Sequence, residues 1–203
     1  MDQREVWERI APSWAQYRTR ALPEAEEFVK DGDVILDVGC GSGRNFVAGK
    51  TFVGVDFSRN MLIAARGEAK KKNAKALLVR ADAAALPFKP RIFEKILLVN
   101  SLHTMKKRSE CMRECARAAR NGARILVTVW NREQPRFEKA EREAVVPWNH
   151  GGAKHMRYYY LYDKKELTSF LRENGLIVER ISGSSEKAFN VFPKNIVAEA
   201  RVP

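Results

Sequence analysis

The chain has 203 residues, a hydrophobic fraction of 45% and a formal net charge of +12, from 37 Lys and Arg against 25 Asp and Glu. This length predicts one domain over residues 1–203. No apolar run reaches the roughly 20 residues of a membrane span, and the charged residues 1–5 do not resemble a signal peptide, so we expect a cytoplasmic protein without membrane association. The positive charge favours polyanionic partners, of which nucleic acid is the commonest.

The cysteines indicate neither a disulfide framework nor a metal centre. There are three of them, Cys40, Cys111 and Cys115, and an odd set without pairs is typical of a reducing compartment. Cys111 and Cys115 are four residues apart on one predicted helix face, but two ligands do not complete a zinc site. We therefore predict core cysteines and no metal.

The first element in the chain is a helical cap over about 1–32. Asp2 and Glu5 have the spacing of a capping box, and apolar residues then recur at helical spacing as far as Trp14. A second helix is predicted over 24–30. Both helices precede the first strand.

Alternating apolar runs and helical segments then predict a parallel sheet with helices on both faces. Strands are predicted at 34–38, 52–55, 76–79, 92–99 and 124–130, and an antiparallel hairpin at 176–181 and 196–202. The fold class is therefore α/β: a doubly wound, Rossmann-like, seven-stranded and mostly parallel sheet that ends in an antiparallel C-terminal hairpin. Residues 131–162, rich in charge and aromatic rings, are expected to form a lid insertion with a short helix near 137–143.

A glycine loop follows the first predicted strand. Asp37 precedes Gly39, Gly41 and Gly43, whose spacing is G-x-G-x-G, and Arg44 stands where a dinucleotide fingerprint needs its third glycine. Glycines let a backbone turn sharply and approach a ligand closely. The second strand ends at Asp56, followed by Phe57, and an acidic residue there can accept hydrogen bonds from a ribose diol.

Polar residues also follow the third and fourth predicted strands. Asp82 and Ala83 come after the third strand, and Asn100-Ser101-Leu102-His103 after the fourth. Ligands in doubly wound sheets bind outside the carboxyl ends of the strands. Two structural interpretations stay open, namely that Asp82 caps a turn and that His103 is a core or surface histidine.

This set of motifs resembles the class I S-adenosylmethionine (SAM) methyltransferases. The resemblance implies SAM as the cofactor, with an Asp after the third strand accepting the adenine amino hydrogen and its neighbour's backbone serving the ring. It also implies that the segment after the fourth strand lines the methyl end of the pocket. The predicted cofactor-binding residues are Asp37, Gly39, Gly41, Gly43, Asp56, Phe57, Asp82, Ala83 and Asn100.

Three blocks outside those motifs are similar to the tRNA wobble-uridine carboxymethyl methyltransferases. They are Ile10-Ala11-Pro12-Ser13-Trp14 with Arg18, Arg20 and Pro23; Val146-Pro147-Trp148; and Arg157-Tyr158-Tyr159-Tyr160-Leu161-Tyr162. The resemblance implies methyl transfer from SAM to the carboxylate of 5-carboxymethyluridine at the tRNA wobble position, with tRNA as the macromolecular partner.

A carboxylate acceptor would simplify the chemistry. With a pKa near 4 it is ionised at neutral pH and needs no general base, so it needs orientation and charge compensation, which an arginine fork can provide. We predict Arg18, His103 and Arg157 as the catalytic residues, with Arg20 in reserve. The alternative is that the arginines are solvated or bind phosphate.

The resemblance also implies a small zinc-binding activator protein that pairs with the sheet edge, which in the usual strand order 3-2-1-4-5-7-6 is the strand at 76–79. The predicted active form is a heterodimer. Two other functions stay open. One is a SAM methyltransferase for a small quinone or lipid-like molecule, and the other is a non-catalytic RNA-binding subunit.

Overall fold

The computed structural model describes residues 2–17, 19–31, 34–188 and 191–203. Its helices are α1 (Gln3–Tyr17), α2 (Pro23–Phe28), α3 (Arg59–Lys71), α4 (Arg108–Ala118) and α5 (Lys164–Glu173), with short 3-10 turns at Leu102–Thr104 and Pro135–Phe137. Its strands are β1 (Val34–Val38), β2 (Thr51–Asp56), β3 (Lys75–Arg80), β4 (Phe93–Val99), β5 (Ala119–Trp130), β6 (Glu143–His150), β7 (Ala153–Tyr160), β8 (Ile177–Gly183), β9 (Lys187–Ala188), β10 (Phe192–Pro193) and β11 (Asn195–Arg201).

The main sheet has the strand order β3-β2-β1-β4-β5-β11-β8. The pairs among β1 to β5 are parallel, and β11 runs antiparallel to both β5 and β8. Central strands covered on both faces are continuously apolar, and Leu36 and Leu97 are accordingly fully buried. The predicted α/β class, seven-stranded sheet and antiparallel C-terminal pair are confirmed.

Helices cover both faces of this sheet. On one face, α4 and α5 bury Met112, Leu167 and Leu171 against the strands. On the other, α2 and α3 bury Phe28 and Ala65. The cysteines are buried, free thiols within these two cores, as expected. None of the helices in the described ranges is long and apolar enough to cross a membrane.

The two edge strands of the sheet are β3 and β8. Within the described residues β3 pairs only with β2, and its Leu77 side chain is 62% exposed. At the opposite edge, Ile177 of β8 is 40% exposed. The apolar strand at 76–79 therefore lies at an open edge, where the predicted strand order places it.

The segment after β5 differs from the sequence prediction. The prediction of a short helix near 137–143 was wrong. Only the turn Pro135–Phe137 forms there, and β6 pairs with β7 as an antiparallel hairpin. In β6, exposed and half-buried residues alternate along the whole strand, which is the period of a strand with one covered face. The abundance of charge in the segment obscured that alternation.

Helix α1 packs against this hairpin. Trp7, Ile10 and Ala11 share an apolar cluster with Tyr159 and Leu161. The Gln3 side chain donates to the Met156 carbonyl at 3.2 Å and accepts from the Tyr158 amide at 2.8 Å. The turn after β4 contacts β7 as well, so α1 and the hairpin together cover the carboxyl ends of the central strands.

Candidate active site

A cleft opens where β1, β2 and β4 end. It holds about 740 Å³ of empty space, counting the solvent at its open mouth. Its walls come from the glycine loop, from the residues after the strands and from two tryptophans of α1. They include Trp7, Trp14, Gly39, Gly41, Asp56, Phe57, Ala83, Asn100, Thr104 and Met105.

The glycine loop requires its glycines at two positions. Gly39 has φ +71° and Gly43 φ +76°, in the left-handed region that L side chains rarely adopt. A Cβ atom on Gly39 would lie 2.5 Å from the Cβ of Ser101, and one on Gly43 would lie 2.6 Å from the Phe46 ring. The backbone therefore turns close under the cleft, with Gly39 donating to the Val55 carbonyl at 2.8 Å.

Asp56 holds this loop from the end of β2. One carboxylate oxygen accepts from the Gly41 amide at 3.0 Å and the other from the Ser58 amide at 2.9 Å. The Ser58 hydroxyl in turn caps α3 by accepting from the Met61 amide at 3.1 Å, as is common at helix N-termini. Burial raises the pKa of Asp56 to about 6, although both amide bonds oppose that rise.

Asp37 lies beneath the loop and not on the cleft wall. Its side chain is fully buried, and no well-formed hydrogen bond from a described residue reaches its carboxylate oxygens. Burial raises the pKa of Asp37 to about 7, while the positive Arg44 and the neighbouring Asn45 favour its charged form. The loop therefore stands between a buried carboxyl and the cleft.

Asn100 reaches the cleft through an unusual backbone conformation at the end of β4. Its φ is +53°, which costs energy in a residue with a side chain. Its amide donates to both the carbonyl and the hydroxyl oxygen of Thr128, each at 3.0 Å. The next residue is anchored too, because the Ser101 hydroxyl donates to the Val38 carbonyl at 2.7 Å.

Asp82 lies in a groove that continues the cleft, and not in the cleft itself. One carboxylate oxygen accepts from the Ala84 amide at 3.0 Å, so Asp82 caps its own turn, and the other faces Arg4 of α1 at 2.5 Å. Ala83 and Phe57 line both the groove and the cleft.

A buried arginine lies behind the tryptophan wall. Arg157 of β7 is 3% exposed, and four aromatic rings lie within 6 Å of its guanidinium. The distances to the ring centres are 5.9 Å for Trp7, 5.1 Å for Trp14, 4.9 Å for Trp148 and 5.2 Å for Tyr159. We call this group the aromatic cage. Since Trp7 and Trp14 also line the cleft, the positive charge lies one aromatic layer from it.

His103 is fully buried next to the cage. Its ring lies 5.3 Å from that of Tyr159 and 5.5 Å from that of Trp130. It does not line the cleft. Arg18, the other predicted catalytic residue, lies outside the described residues.

The structure thus brings the predicted cofactor-binding residues together at the cleft, the loop beneath it and the adjoining groove. Gly39, Gly41, Asp56, Phe57, Ala83 and Asn100 line the cleft, and Asp82 lies in the adjoining groove. Asp37 is buried beneath the loop, and Gly43 belongs to the loop and packs against Phe46. Sequence reasoning missed Trp7 as a wall residue. Its distance of seven residues from Trp14 places both on one face of a helix, and that spacing was the available signal.

Comparison with known proteins gives a consistent family. The family described as "Methyltransferase domain" matches residues 36–127. A protein of Encephalitozoon cuniculi (strain GB-M1), named "Putative methyltransferase", is 30% identical over 172 residues, which cover 79% of this chain and 78% of the relative.

Two other relatives carry names that refer to tRNA. The mouse protein named "Probable tRNA methyltransferase 9B" is 29% identical over 71% of this chain and 33% of its own length. The tRNA (carboxymethyluridine(34)-5-O)-methyltransferase of Arabidopsis thaliana is 28% identical over 64% of this chain and 32% of its own length. The chain therefore spans about a third of the length of these two relatives.

Solved structures share the fold. A SAM-dependent methyltransferase of Methanosarcina mazei superposes with a TM-score of 0.72 at 18% identity, over 90% of this chain and 98% of the other. A chain from the complex between the Haloferax volcanii Trm112 methyltransferase activator and a methyltransferase superposes with a TM-score of 0.65 at 17% identity, over 100% and 96% of the two chains.

Proposed function

This chain belongs to the SAM-dependent methyltransferase family, and we propose that it methylates the carboxylate of 5-carboxymethyluridine at the wobble position of tRNA. The observation that carries the proposal is the buried Arg157 directly behind the aromatic wall of the cleft. The net charge of +12 and the two relatives named for tRNA methylation support it.

The proposed cofactor seat uses the predicted residues. Asp56 would accept hydrogen bonds from the ribose diol, Asp82 and the backbone of Ala83 would bind the adenine, and Asn100 would border the methyl end. The backbone of Gly39 and Gly41, which lines the cleft, would contact the cofactor. SAM carries positive charge on its sulfonium and ammonium groups, so the buried carboxyls of Asp37 and Asp56 complement it, and binding favours their ionised forms.

The proposed reaction neutralises charge. An oxygen of the acceptor carboxylate attacks the sulfonium methyl, a C–O bond forms as the C–S bond breaks, and a neutral ester and a neutral thioether result. Because the opposite charges of the reactants disappear together, a cleft that excludes water favours the step. The acceptor is already ionised, so no side chain has to remove a proton.

Arg157 would draw the acceptor carboxylate to the cleft, because a positive charge behind an apolar wall is weakly screened. Trp7 and Trp14 form this wall and pack edge to face on each other, with ring centres 5.1 Å apart and ring planes at 89°. A wall of this kind suits a nucleobase extruded from an RNA loop. His103 supports the cage through Tyr159 in this proposal, and Arg18 remains a candidate for direct contact.

The decisive experiment uses SAM labelled in its methyl group and tRNA that carries 5-carboxymethyluridine without its methyl ester. We expect label in the wobble nucleoside, released by mild base as an ester would be. The matched control is the same tRNA with the ester already present, which should accept no label. Base-stable label, or equal label in both tRNAs, would contradict the proposal.

We also propose that an activator protein covers the open edge of β3. Leu77 of this strand is 62% exposed and Ile63 of the adjacent α3 is 57% exposed, so the edge offers apolar side chains as well as unpaired backbone groups. The similarity to a chain solved in complex with a Trm112 methyltransferase activator supports an activator as the partner.

A small apolar acceptor is the second candidate function. The observation that favours it is again the tryptophan wall of the cleft, because flat apolar molecules stack on such rings. Incubation with the same labelled SAM and a lipid extract in place of tRNA distinguishes a small apolar acceptor from a tRNA acceptor. Label that partitions into organic solvent would favour the small acceptor.

A further inference from the structure

Two lysines stand at the mouth of the cleft. Lys106 and Lys107 directly follow Met105, a residue of the cleft wall, and both are exposed. They line the groove that continues the cleft, and Thr104 and Met105 belong to both. Their charges therefore lie beside the part of the cleft wall that Thr104 and Met105 form.

Most ion pairs of this protein lie elsewhere. Arg117 pairs with Glu114 at 2.7 Å and Arg142 with Asp163 at 2.7 Å. Within the described ranges, no carboxylate lies within 4 Å of the ammonium groups of Lys106 and Lys107. The groove also contains Asp82, neutralised by Arg4, and Asp2, so positive charge remains in excess there.

The next residue fixes the position of this turn. Arg108 donates to the Met105 carbonyl at 3.1 Å and to the Tyr158 hydroxyl at 2.7 Å, and its guanidinium lies 3.9 Å from the centre of the Tyr160 ring. The Lys106 ammonium lies 5.6 Å from the Tyr158 ring centre. Arg108 is thus committed to the hairpin, which leaves the two lysines facing solvent on an anchored turn.

We propose that Lys106 and Lys107 form a phosphate-binding surface, which holds the RNA backbone next to the nucleotide that enters the cleft. This inference rests on the proposed function. An extruded nucleotide keeps its flanking phosphates outside the pocket, and lysine is a compact, flexible point charge suited to contacts without base preference. The surface contributes affinity and register, and the cleft selects the base.

The test compares two double variants of the full chain, with and without the activator protein. Lys106→Ala/Lys107→Ala removes the proposed surface. Lys70→Ala/Lys71→Ala removes the same charge at the end of α3, which lies next to the start of β3 at Lys75 and therefore at the amino ends of the strands, away from the cleft. The affinity for labelled tRNA is measured by fluorescence anisotropy at several salt concentrations, and SAM affinity by calorimetry.

For Lys106→Ala/Lys107→Ala, which we call the cleft variant, we expect a smaller slope of log affinity against log salt. The slope should fall by about 1.4, because each of the two lost phosphate contacts with a single strand contributes about 0.7. We expect KM for tRNA to rise roughly tenfold and SAM affinity to stay unchanged. The control variant should keep the slope of the parent protein.

If the two variants had the same salt dependence and the same KM for tRNA, the phosphate-binding surface would be contradicted, but the proposed function would not. A parent protein without salt-dependent tRNA affinity would overturn the proposed function along with it. A cleft variant that keeps tRNA affinity but loses the activator would show a protein interface instead and would also overturn the inference.

Discussion

Arg4 of α1 and Asp82 after β3 form an ion pair with 2.5 Å between the guanidinium nitrogen and the carboxylate oxygen. The pair joins the N-terminal helix to the groove that continues the cleft. In the proposed cofactor seat the same carboxylate receives the adenine amino hydrogen. Arg4 and the cofactor therefore share one acceptor.

We expect Arg4→Ala to change SAM affinity by less than about fivefold, because exposed ion pairs contribute only about 0–1 kcal/mol. Asp82→Ala should weaken SAM binding roughly tenfold, since it also removes a hydrogen bond of the cofactor. Isothermal titration calorimetry measures both. Equal effects of the two variants would mean that Asp82 serves the docking of α1 and not the adenine.

Asp37 predicts a specific dependence of stability on pH. Burial raises its pKa from 3.8 to about 7, so between these values the folded state binds more protons than the unfolded state. This group's contribution to the free energy of unfolding is then fully present below about pH 4 and is lost as the pH rises to 7. Asp37→Asn, which cannot ionise, should melt at a higher temperature than the parent protein at pH 7.5.

At pH 4.5 the two cofactor-free proteins should melt at similar temperatures, and differential scanning fluorimetry across this range measures the difference. A constant difference at all pH values would show that folding does not raise the pKa of Asp37. SAM should narrow the difference in melting temperature at pH 7.5. Only the parent protein has the Asp37 carboxylate, which the positive charge of SAM stabilises.

Gly39→Ala should destabilise the fold and abolish SAM binding. The added Cβ would meet the Cβ of Ser101 at 2.5 Å and would also occupy a left-handed conformation, at φ +71°. Gly49→Ala is the matched control, because Gly49 has φ +74° and nothing within 4 Å of its added Cβ. The control should lose only the backbone cost of about 1–2 kcal/mol, measured by urea unfolding, and should keep SAM affinity. Similar losses in both would locate the effect in the backbone conformation and not in the contact with Ser101.

Arg157→Met should lower kcat for the carboxylate acceptor at least roughly tenfold, which is about 1.4 kcal/mol of transition-state stabilisation, because it removes the charge behind the tryptophan wall while keeping a long side chain. Arg157→Lys should retain part of the activity, since the charge remains without the guanidinium fork. SAM affinity and melting temperature separate this effect from a loss of packing.

The matched control is Arg180→Met, at an exposed position of β8, which should have no effect on turnover. Normal turnover of Arg157→Met would remove Arg157 from the proposed mechanism.

Leu77→Glu should prevent association with the activator protein, because it places a charge on the apolar edge of β3. Ile177→Glu makes the same change on β8, the opposite edge strand, and should leave the complex intact. Size-exclusion chromatography of each variant with the activator measures both. If the β8 variant lost the complex instead, the activator would bind at the other edge.

The parts of the site that sequence predicted are those built from neighbouring residues. The glycine loop and Asp56 follow directly from how a strand, a turn and a strand are ordered. The aromatic cage joins Trp7 and Trp14 to Trp148 and Arg157, which are more than 130 residues away in sequence, and no local pattern specifies that pairing. The hairpin of β6 and β7 was missed because its alternation was read as a charged loop.

The two hydrogen bonds between Gln3 and β7 have a consequence for synthesis on the ribosome. Gln3 and Tyr158 are 155 positions apart, so at about 5–20 residues per second roughly 8–30 s pass before the partner of Gln3 is made. A helix as short as α1 is marginal alone in water, so its tryptophans stay uncovered during that interval. The cleft is therefore completed late, and nascent chains that stop before β7 should be the ones that chaperones retain.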